Sequence, residues 1–310
     1  VGKDSQGQDI SADIQIISQV DTSVIGDYFV RYQLTDSRGV SAVELSRLIR
    51  VYYDEPAELS RYLLDDTQAN VGYWHHLPSN YEIDEDQQFP LLVYLHGEDA
   101  NAEKTGEDQA AGLDAVANNG GPITMIRDNQ WDSELPFIVV SPHIGLVSPR
   151  NDHVRFDAFI EYLKHTYKID EKRIYIAGWG YGGSIAYHYT VKFPNKIAAL
   201  ITVSSAYPWG DTVPNDLCDA EKIPMWFFHG NEDMEVEHKK SIASKTKITE
   251  NCQPTTEPKL SIVLSVGHNL HHSIFDLTGM VGGEQEYQFD DRYDSYDQDI
   301  YSWLLNQEKI

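Results

Sequence analysis

From about residue 70 onward, short apolar runs alternate with segments whose apolar residues recur at the period of a helix. Residues 152–167 and 182–193 have this helical period, and the second segment stops before Pro194. Several of the apolar runs are too hydrophobic to face water on either side, so we expect a mostly parallel sheet covered by helices, an α/β fold. The predicted strands are residues 71–77, 90–95, 137–140, 173–177, 200–203, 225–228 and 260–264.

The charge balance narrows the choice of partners. The 310 residues include 49 acidic and 24 basic side chains, a formal net charge of -25. A surface this negative repels phosphate backbones and anionic lipid headgroups, so we expect no nucleic-acid partner. No run approaches the roughly 18 apolar residues that span a bilayer, so we expect no membrane insertion.

The first part of the chain has a different pattern. Short alternating runs at residues 14–16, 28–34 and 45–52 are separated by turn residues, with Gly39 closing one turn. This pattern predicts a small all-β sandwich over residues 1–52. The acidic, proline-containing stretch 53–69 is interpreted as a linker, which leaves residues 70–310 for the α/β domain.

The turn residues of this first region resemble those of a known domain. They are Val20 to Ser23, Gly26 to Tyr28, Tyr32, Thr35 to Ser37 and Gly39. Together they are similar to the Ig-like (cadherin-like) domain of bacterial surface and secreted proteins. That family usually has one more strand ahead of this point, so a truncated module is one interpretation. The resemblance implies a spacer or adhesion role and a secreted, periplasmic or cell-surface location.

A glycine-rich turn follows the predicted strand 173–177 and precedes a helix. It reads Gly178-Trp179-Gly180-Tyr181-Gly182, the spacing of the Gly-x-Ser-x-Gly nucleophile elbow with glycine at the centre. The outer glycines remove side chains where strand and helix pack closely. The central residue of such a turn has a strained backbone that glycine adopts without penalty. Gly180 therefore stands where an ester hydrolase would carry its nucleophile.

Two acid–base residues follow later strands. Asp233 comes shortly after strand 225–228, and His268 shortly after strand 260–264. The carboxyl ends of parallel strands meet at one edge of a sheet, so we expect these side chains to meet beside Gly180. The order elbow, Asp, His along the chain is that of α/β-hydrolases.

The loop after strand 90–95 adds a further element. It reads His96-Gly97-Glu98, and a backbone N–H there is placed to hold an oxyanion together with the N–H of Tyr181. With these pieces in place, the second region resembles α/β-hydrolases of the carboxylesterase, phospholipase-like and polyhydroxybutyrate-depolymerase-like group. The matching segments are residues 73–78, 81, 90–97, 137–142, 173–178, 181–183, 224–230, 233, 267–268 and 299–305.

The resemblance assigns roles by position. It makes His268 the general base, Asp233 its orienting acid, and the amides of Glu98 and Tyr181 the oxyanion hole, with no cofactor. The family has serine where this chain has Gly180, and glycine has no oxygen that could attack a carbonyl.

Two hypotheses follow. One is a serine carboxylesterase whose nucleophile has been replaced by Gly180, so that the chain is inactive or severely impaired. The other is a natural pseudo-esterase that binds a glycan or similar ligand. A third, weaker option is slow attack by water that His268 activates.

Other residues carry weaker signals. Trp179, Trp131 and Trp209 lie near predicted strand ends, where each could line a substrate pocket or simply pack in a loop. The expected partner is a small-molecule or polysaccharide-linked ester, and the oligomeric state is not readable. Ser184 lies a turn into the helix after the elbow, and no elbow glycines surround Ser204 and Ser205, so we do not expect these serines to replace the nucleophile.

Metal and cysteine patterns are sparse. No Cys-x-x-Cys occurs, and His268 to His272 lacks the glutamate of the zinc-protease motif, so we expect no metal. Calcium in the acidic run 290–299 or in the Ig-like region stays an open alternative. Cys218 and Cys252 each precede a predicted strand. Either a disulfide between them or two unrelated thiols is compatible with the sequence.

Overall fold

The computed structural model describes two compact units, residues 1–56 and 57–310. Within them, the structure describes residues 2–4, 6–21, 26–51, 59–64, 66–100, 109–144, 153–207 and 213–309. Trp209 lies outside these ranges. No helix in the described part of the chain has the length and apolar character needed to cross a membrane.

The first unit is all-β, as its turn-punctuated pattern predicts. Strands β1 (Gln15–Ile17), β2 (Gly26–Gln33) and β3 (Leu45–Val51) form an antiparallel sheet in the order β1-β2-β3. Phe29 pairs with Leu48 in this sheet. Both side chains are exposed, at 58% and 45%. The described residues therefore form one three-stranded sheet, and the expected second sheet of a sandwich is not among them.

The second unit is built on a twisted eight-stranded sheet in the order β11-β10-β9-β8-β6-β7-β5-β4. The six strands from β11 to β7 in that order run parallel, and β5 and β4 are antiparallel at one edge. The strands are β4 (Leu59–Tyr62), β5 (Tyr73–His76), β6 (Phe89–Leu95), β7 (Ile138–Pro142), β8 (Ile169–Trp179), β9 (Ala199–Val203), β10 (Met225–Gly230) and β11 (Lys259–Val263).

Helices cover both faces of this sheet, which explains why β6 is buried at every position. Leu91 and Val93 point into one core, and Leu92 and Tyr94, at the alternate positions, point into the other. The helices are α1 (Gln109–Asn118), α2 (Pro122–Arg127), α3 (His153–Thr166), α4 (Gly180–Lys192), α5 (Lys239–Asn251), α6 (His271–Phe275) and α7 (Ile300–Leu305). The predicted α/β fold is confirmed.

The segment interpreted as a linker, residues 53–69, contains a strand. Leu59–Tyr62 pairs antiparallel with β5, with Leu59 opposite His76 and Tyr62 opposite Tyr73. The sheet of the second unit therefore begins at Leu59, not near residue 70. A four-residue edge strand with one neighbour carries too little apolar pattern to be distinguished from a linker.

Cys218 and Cys252 form a disulfide. Cys218 lies in the 3-10 turn Asn215–Ala220 before β10, and Cys252 follows α5 before β11. β10 and β11 are parallel neighbours, so the bridge lies at the amino edge of the sheet, opposite the edge that carries the predicted catalytic residues.

We expect this bridge to stabilise the second unit without affecting its site. It joins residues separated by 34 positions. In the chain-entropy description, a loop of this length contributes about 3–4 kcal/mol. A Cys218→Ser/Cys252→Ser double variant should lose about that much free energy of unfolding in urea, and added reductant should not affect it further. A loss below about 1 kcal/mol would contradict the expectation.

Candidate active site

The elbow lies where β8 passes directly into α4. Trp179 has extended backbone angles, and Gly180, the first helical residue, has φ +54°. A Cβ on Gly178 would lie 2.7 Å from the backbone of Gly182 and Gly183. A Cβ on Gly182 would overlap the carbonyl groups of Leu95 and His96. The glycines therefore allow strand, helix and the loop after β6 to approach each other closely.

His268 and Asp233 meet beside this turn. Nδ1 of His268 lies 2.8 Å from Oδ2 of Asp233. A carboxylate only accepts hydrogen bonds, so Nδ1 carries a proton, and in the neutral imidazole Nε2 presents its lone pair. A Cβ on Gly180 would lie 3.0 Å from that Nε2. The imidazole and the carboxylate bonded to it thus lie beside the position of the expected nucleophile.

Asp233 is buried and accepts four hydrogen bonds. Its Oδ1 accepts the backbone N–H groups of Glu235 at 2.9 Å and Val236 at 2.8 Å. Its Oδ2 lies 3.2 Å from Nε2 of His229 as well as beside His268. Burial alone would raise the pKa of Asp233, but the bonds from His229, His268 and the Val236 amide outweigh it and hold that pKa well below its usual range. The carboxylate is therefore charged throughout the neutral range.

The contact with His229 is one that sequence reasoning missed. The His229-Gly230 turn at the end of a predicted strand indicates only that His229 stabilises its own loop. Its Nε2 faces two acceptors, Oδ2 of Asp233 and the Val236 carbonyl at 2.8 Å, so Nε2 carries a proton. Its Nδ1 lies 2.8 Å from Oγ of Ser241. The available signal was its place at the end of β10, four residues before Asp233.

The loop after β6 is anchored from two sides. The N–H of Gly97 donates to Oδ1 of Asn119 at 3.0 Å. Nε2 of His96 accepts the N–H of Ile144 at 3.0 Å, while its Nδ1 donates to the Gly97 carbonyl at 2.8 Å. Glu98 follows at the start of the 3-10 turn Glu98–Ala100. Asn119 and His96 thus fix the loop that the sequence predicts to form half of an oxyanion hole.

Burial of His96 predicts a dependence of stability on pH. Its ring is fully buried, and burial lowers its pKa to about 3. In the unfolded chain the pKa of this imidazole is near 6.5. The free energy of unfolding therefore falls as the pH is lowered from about 6.5 toward 3, by about 1.4 kcal/mol per pH unit. In a His96→Gln variant, the free energy of unfolding measured in urea should change with pH less steeply than in the wild type between pH 6 and 4, by about 1.4 kcal/mol per pH unit. Above pH 7 the two proteins should have the same slope. Equal slopes below pH 6 would contradict this.

Trp179 is buried beside His268. Its side chain is 3% exposed, and its Nε1–H donates to the backbone carbonyl of His268 at 3.0 Å. Its ring stacks on His271 with a centroid distance of 3.6 Å. Nε2 of His271 in turn donates to the Asn119 carbonyl at 2.8 Å. This stack connects the backbone of His268 to the anchor of the Gly97 loop.

Trp131 lies away from the site. It packs edge-on against Tyr301 and His76, with centroid distances of 5.0 and 6.1 Å. His76 pairs with Val139 near the start of β7, so Trp131 is at the amino edge of the parallel strands. Of the two alternatives for Trp131, its contacts with Tyr301 and His76 favour packing in a loop, and it precedes β7 instead of following a strand. Trp209 lies outside the described residues.

The acidic run 290–299 has structural partners. Asp294 accepts from Lys245 at 3.1 Å and from the N–H of Leu260 at 2.9 Å. Asp299 caps α7 through the N–H of Tyr301 at 2.8 Å. Among the described residues, one group of three ligand atoms lies close enough for an ion, but it contains the disulfide-bonded cysteines: Cys218, Glu221 and Cys252. The described residues of the run 290–299 contribute to no such group.

Ser184 is held inside the fold. Its hydroxyl donates to the Ala206 carbonyl at 2.8 Å, and the residue is fully buried. It is thus a packing hydroxyl of α4, and position 180 is where a nucleophile would face His268.

Known proteins match both parts of the chain. Residues 151–276 match the family model described as phospholipase/carboxylesterase, and residues 1–51 match that described as bacterial surface protein, Ig-like domain. A bifunctional acetylxylan esterase/xylanase from Neocallimastix patriciarum is 26% identical over 157 residues, which is 46% of this chain and 19% of that protein. The match therefore spans about a fifth of that relative's length.

Solved structures agree on the fold. A thermostable esterase superposes with a TM-score of 0.53 at 19% identity, covering 94% of this chain and 76% of the other. A feruloyl esterase module from Clostridium thermocellum superposes with a TM-score of 0.50 at 15% identity, covering 72% and 87%. Residues 1–51 thus match a bacterial surface Ig-like domain, residues 151–276 match the phospholipase/carboxylesterase family, and the second unit shares the fold of solved esterases.

Proposed function

We propose that the second domain is a carboxylic-ester hydrolase of the serine-esterase type whose nucleophile position is Gly180, so that acyl transfer by this chain is absent or severely impaired. One observation carries the proposal. The Nε2 of His268, oriented by Asp233, lies 3.0 Å from the position that a Cβ on residue 180 would occupy. A protein lineage that no longer hydrolysed esters would have no reason to keep His268 and Asp233 aligned on position 180.

In the serine form of this site, acyl transfer would proceed in two steps. The hydroxyl gives its proton to Nε2 of His268 and attacks the ester carbonyl, and the amides of Glu98 and Tyr181 bind the oxyanion. His268 then protonates the leaving alkoxide. Water, deprotonated by His268, then attacks the acyl-enzyme, and Nε2–H returns the proton to the serine oxygen as the acid is released. Asp233 holds the imidazole in the required tautomer throughout.

The substrates we propose are acyl esters on plant-type polysaccharide, such as acetyl or feruloyl groups. The acetylxylan esterase/xylanase relative and the feruloyl esterase module support this class. The net charge of -25 favours neutral or cationic substrates over anionic ones. The Ig-like domain and the disulfide support a secreted, periplasmic or cell-surface location.

The test is a Gly180→Ser variant assayed with p-nitrophenyl acetate and with acetylated or feruloylated xylan. Hydrolysis that appears in the variant and disappears again with a further His268→Gln exchange supports the proposal. A folded variant without activity on any of these esters would refute it.

A second candidate is a pseudo-esterase that binds the same esters without cleaving them. The observation in its favour is φ +54° at Gly180, because glycine is the least strained residue for this turn and would be retained once catalysis is lost. Equal affinity of this chain and its Gly180→Ser variant for acetylated xylan oligosaccharides, with no turnover by either, would favour binding over hydrolysis.

A further inference from the structure

Glu235 places a second carboxylate at the imidazole of His268. Its Oε2 lies 3.9 Å from Nε2, the ring nitrogen that does not contact Asp233. The same Asp233 fixes both groups, because its Oδ2 binds Nδ1 of His268 and its Oδ1 accepts the backbone N–H of Glu235 at 2.9 Å. The side chain of Glu235 is 71% exposed and that of His268 13%. Glu235 thus borders the mouth of the site and faces the working nitrogen of the base.

The distance of 3.9 Å between Oε2 of Glu235 and Nε2 of His268 suits one bridging water molecule. A water that donates one hydrogen bond of about 2.8 Å to each acceptor fits between oxygen and nitrogen atoms separated by this distance. With both hydrogens engaged, its lone pairs point away from Nε2 and Oε2. Within the described part of the chain, a Cβ on Gly180 would meet two atoms of His268 at 3.0 and 3.5 Å and nothing else within 4 Å. Among the described residues, the ring of His268 is thus the one group that borders the position of a serine Cβ.

We propose that, in this chain, Glu235 and His268 hold and orient a water molecule that attacks the ester carbonyl directly, so that the site hydrolyses esters slowly without an acyl-enzyme. This inference rests on the proposed ester chemistry of the site and adds Glu235 to it as a catalytic residue. The water oxygen bonds to the carbonyl carbon as one of its protons passes to Nε2 of His268. The C–O bond of the leaving group then breaks, and Nε2–H returns the proton to the alkoxide. The products are one carboxylic acid and one alcohol.

The test compares steady-state hydrolysis of p-nitrophenyl acetate by the full chain and three variants: His268→Gln, Glu235→Gln and Glu237→Gln. Glu237 is exposed on the same loop and supplies the matched charge control. We expect His268→Gln to lower kcat by about 100-fold, as for a positioned general base, and Glu235→Gln by about threefold to tenfold, because Glu235 only orients the water. Glu237→Gln should leave kcat unchanged. Wild-type kcat equal to that of Glu235→Gln or His268→Gln would overturn the proposal.

The same exchanges in the Gly180→Ser background separate catalysis from a structural effect. There a serine hydroxyl takes the place of the water in the first step. We therefore expect an acyl-enzyme burst and a first-step rate that Glu235→Gln does not alter. An equal loss in both backgrounds would assign Glu235 a structural role and overturn the proposal. A Gly180→Ser variant without activity refutes the serine mechanism alone, and slow hydrolysis by the unaltered chain that depends on Glu235 and His268 would still support direct attack by water.

Discussion

A Gly180→Ser variant should hydrolyse p-nitrophenyl acetate at least about 10³-fold faster than the unaltered chain. In comparable triads, removal of the serine alone costs about 10⁶-fold in kcat, and the remaining rate comes from binding and the oxyanion hole. We expect a smaller gain here, because the surroundings of Gly180 have not been tuned for a side chain. The new Cβ would lie 3.0 Å from Nε2 of His268, so the imidazole must move by a few tenths of an ångström, but it already faces position 180.

The same variant should be less stable than the unaltered chain. Gly180 has φ +54°, and a residue with a Cβ loses about 1–2 kcal/mol in that region of backbone space. A Gly180→Ala variant is the matched control, because it has the same backbone strain and no hydroxyl. We expect both variants to lose similar free energy of unfolding in urea and only the serine variant to gain activity. Comparable ester hydrolysis by both would show that position 180 does not carry the nucleophile.

Much of this fold could be predicted because its strands are buried on both faces. Continuous apolar runs such as Leu91 to Leu95 can lie only in a covered parallel sheet, and polar residues just past such strands must meet at one edge. That rule alone brings Gly180, Asp233 and His268 together from three distant segments. β4 could not be predicted in the same way, because it has four residues and one neighbouring strand. Its hydrophobic pattern is too short to be recognised in the sequence.

The supporting contacts of the site were harder to predict. Burial of Trp179 depends on His271 and the Gly97 loop, which lie far apart in the sequence and meet only through packing. The roles of His229 and Glu235 depend on how the loop after β10 turns back on Asp233. Residue type indicated which groups have suitable chemistry. Only the three-dimensional path of these loops determines which of them reach the imidazole.

An Asp233→Asn exchange in the Gly180→Ser background should lower kcat by about 10⁴-fold, the loss seen when the orienting acid of a comparable triad becomes an amide. The physical reason lies in the four donors around this side chain. One carboxylate oxygen faces N–H groups of His229 and His268, and the other faces the amides of Glu235 and Val236. Asparagine has one acceptor oxygen, so its NH₂ group must oppose one of these donor pairs.

Either orientation of that asparagine damages the site. If its NH₂ group faces the imidazoles, His268 must take the other tautomer, and its Nε2 then carries a hydrogen and cannot accept a proton from the nucleophile. If NH₂ faces the loop amides, the segment that carries Glu235 is displaced. The matched control is Asp132→Asn, since exposed Asp132 also accepts the N–H two residues ahead, at 2.9 Å, and lies far from the base. We expect its kcat to be unchanged. An Asp233→Asn loss of less than about tenfold would mean that His268 keeps its tautomer without the carboxylate, and that Asp233 is not the acid of this site.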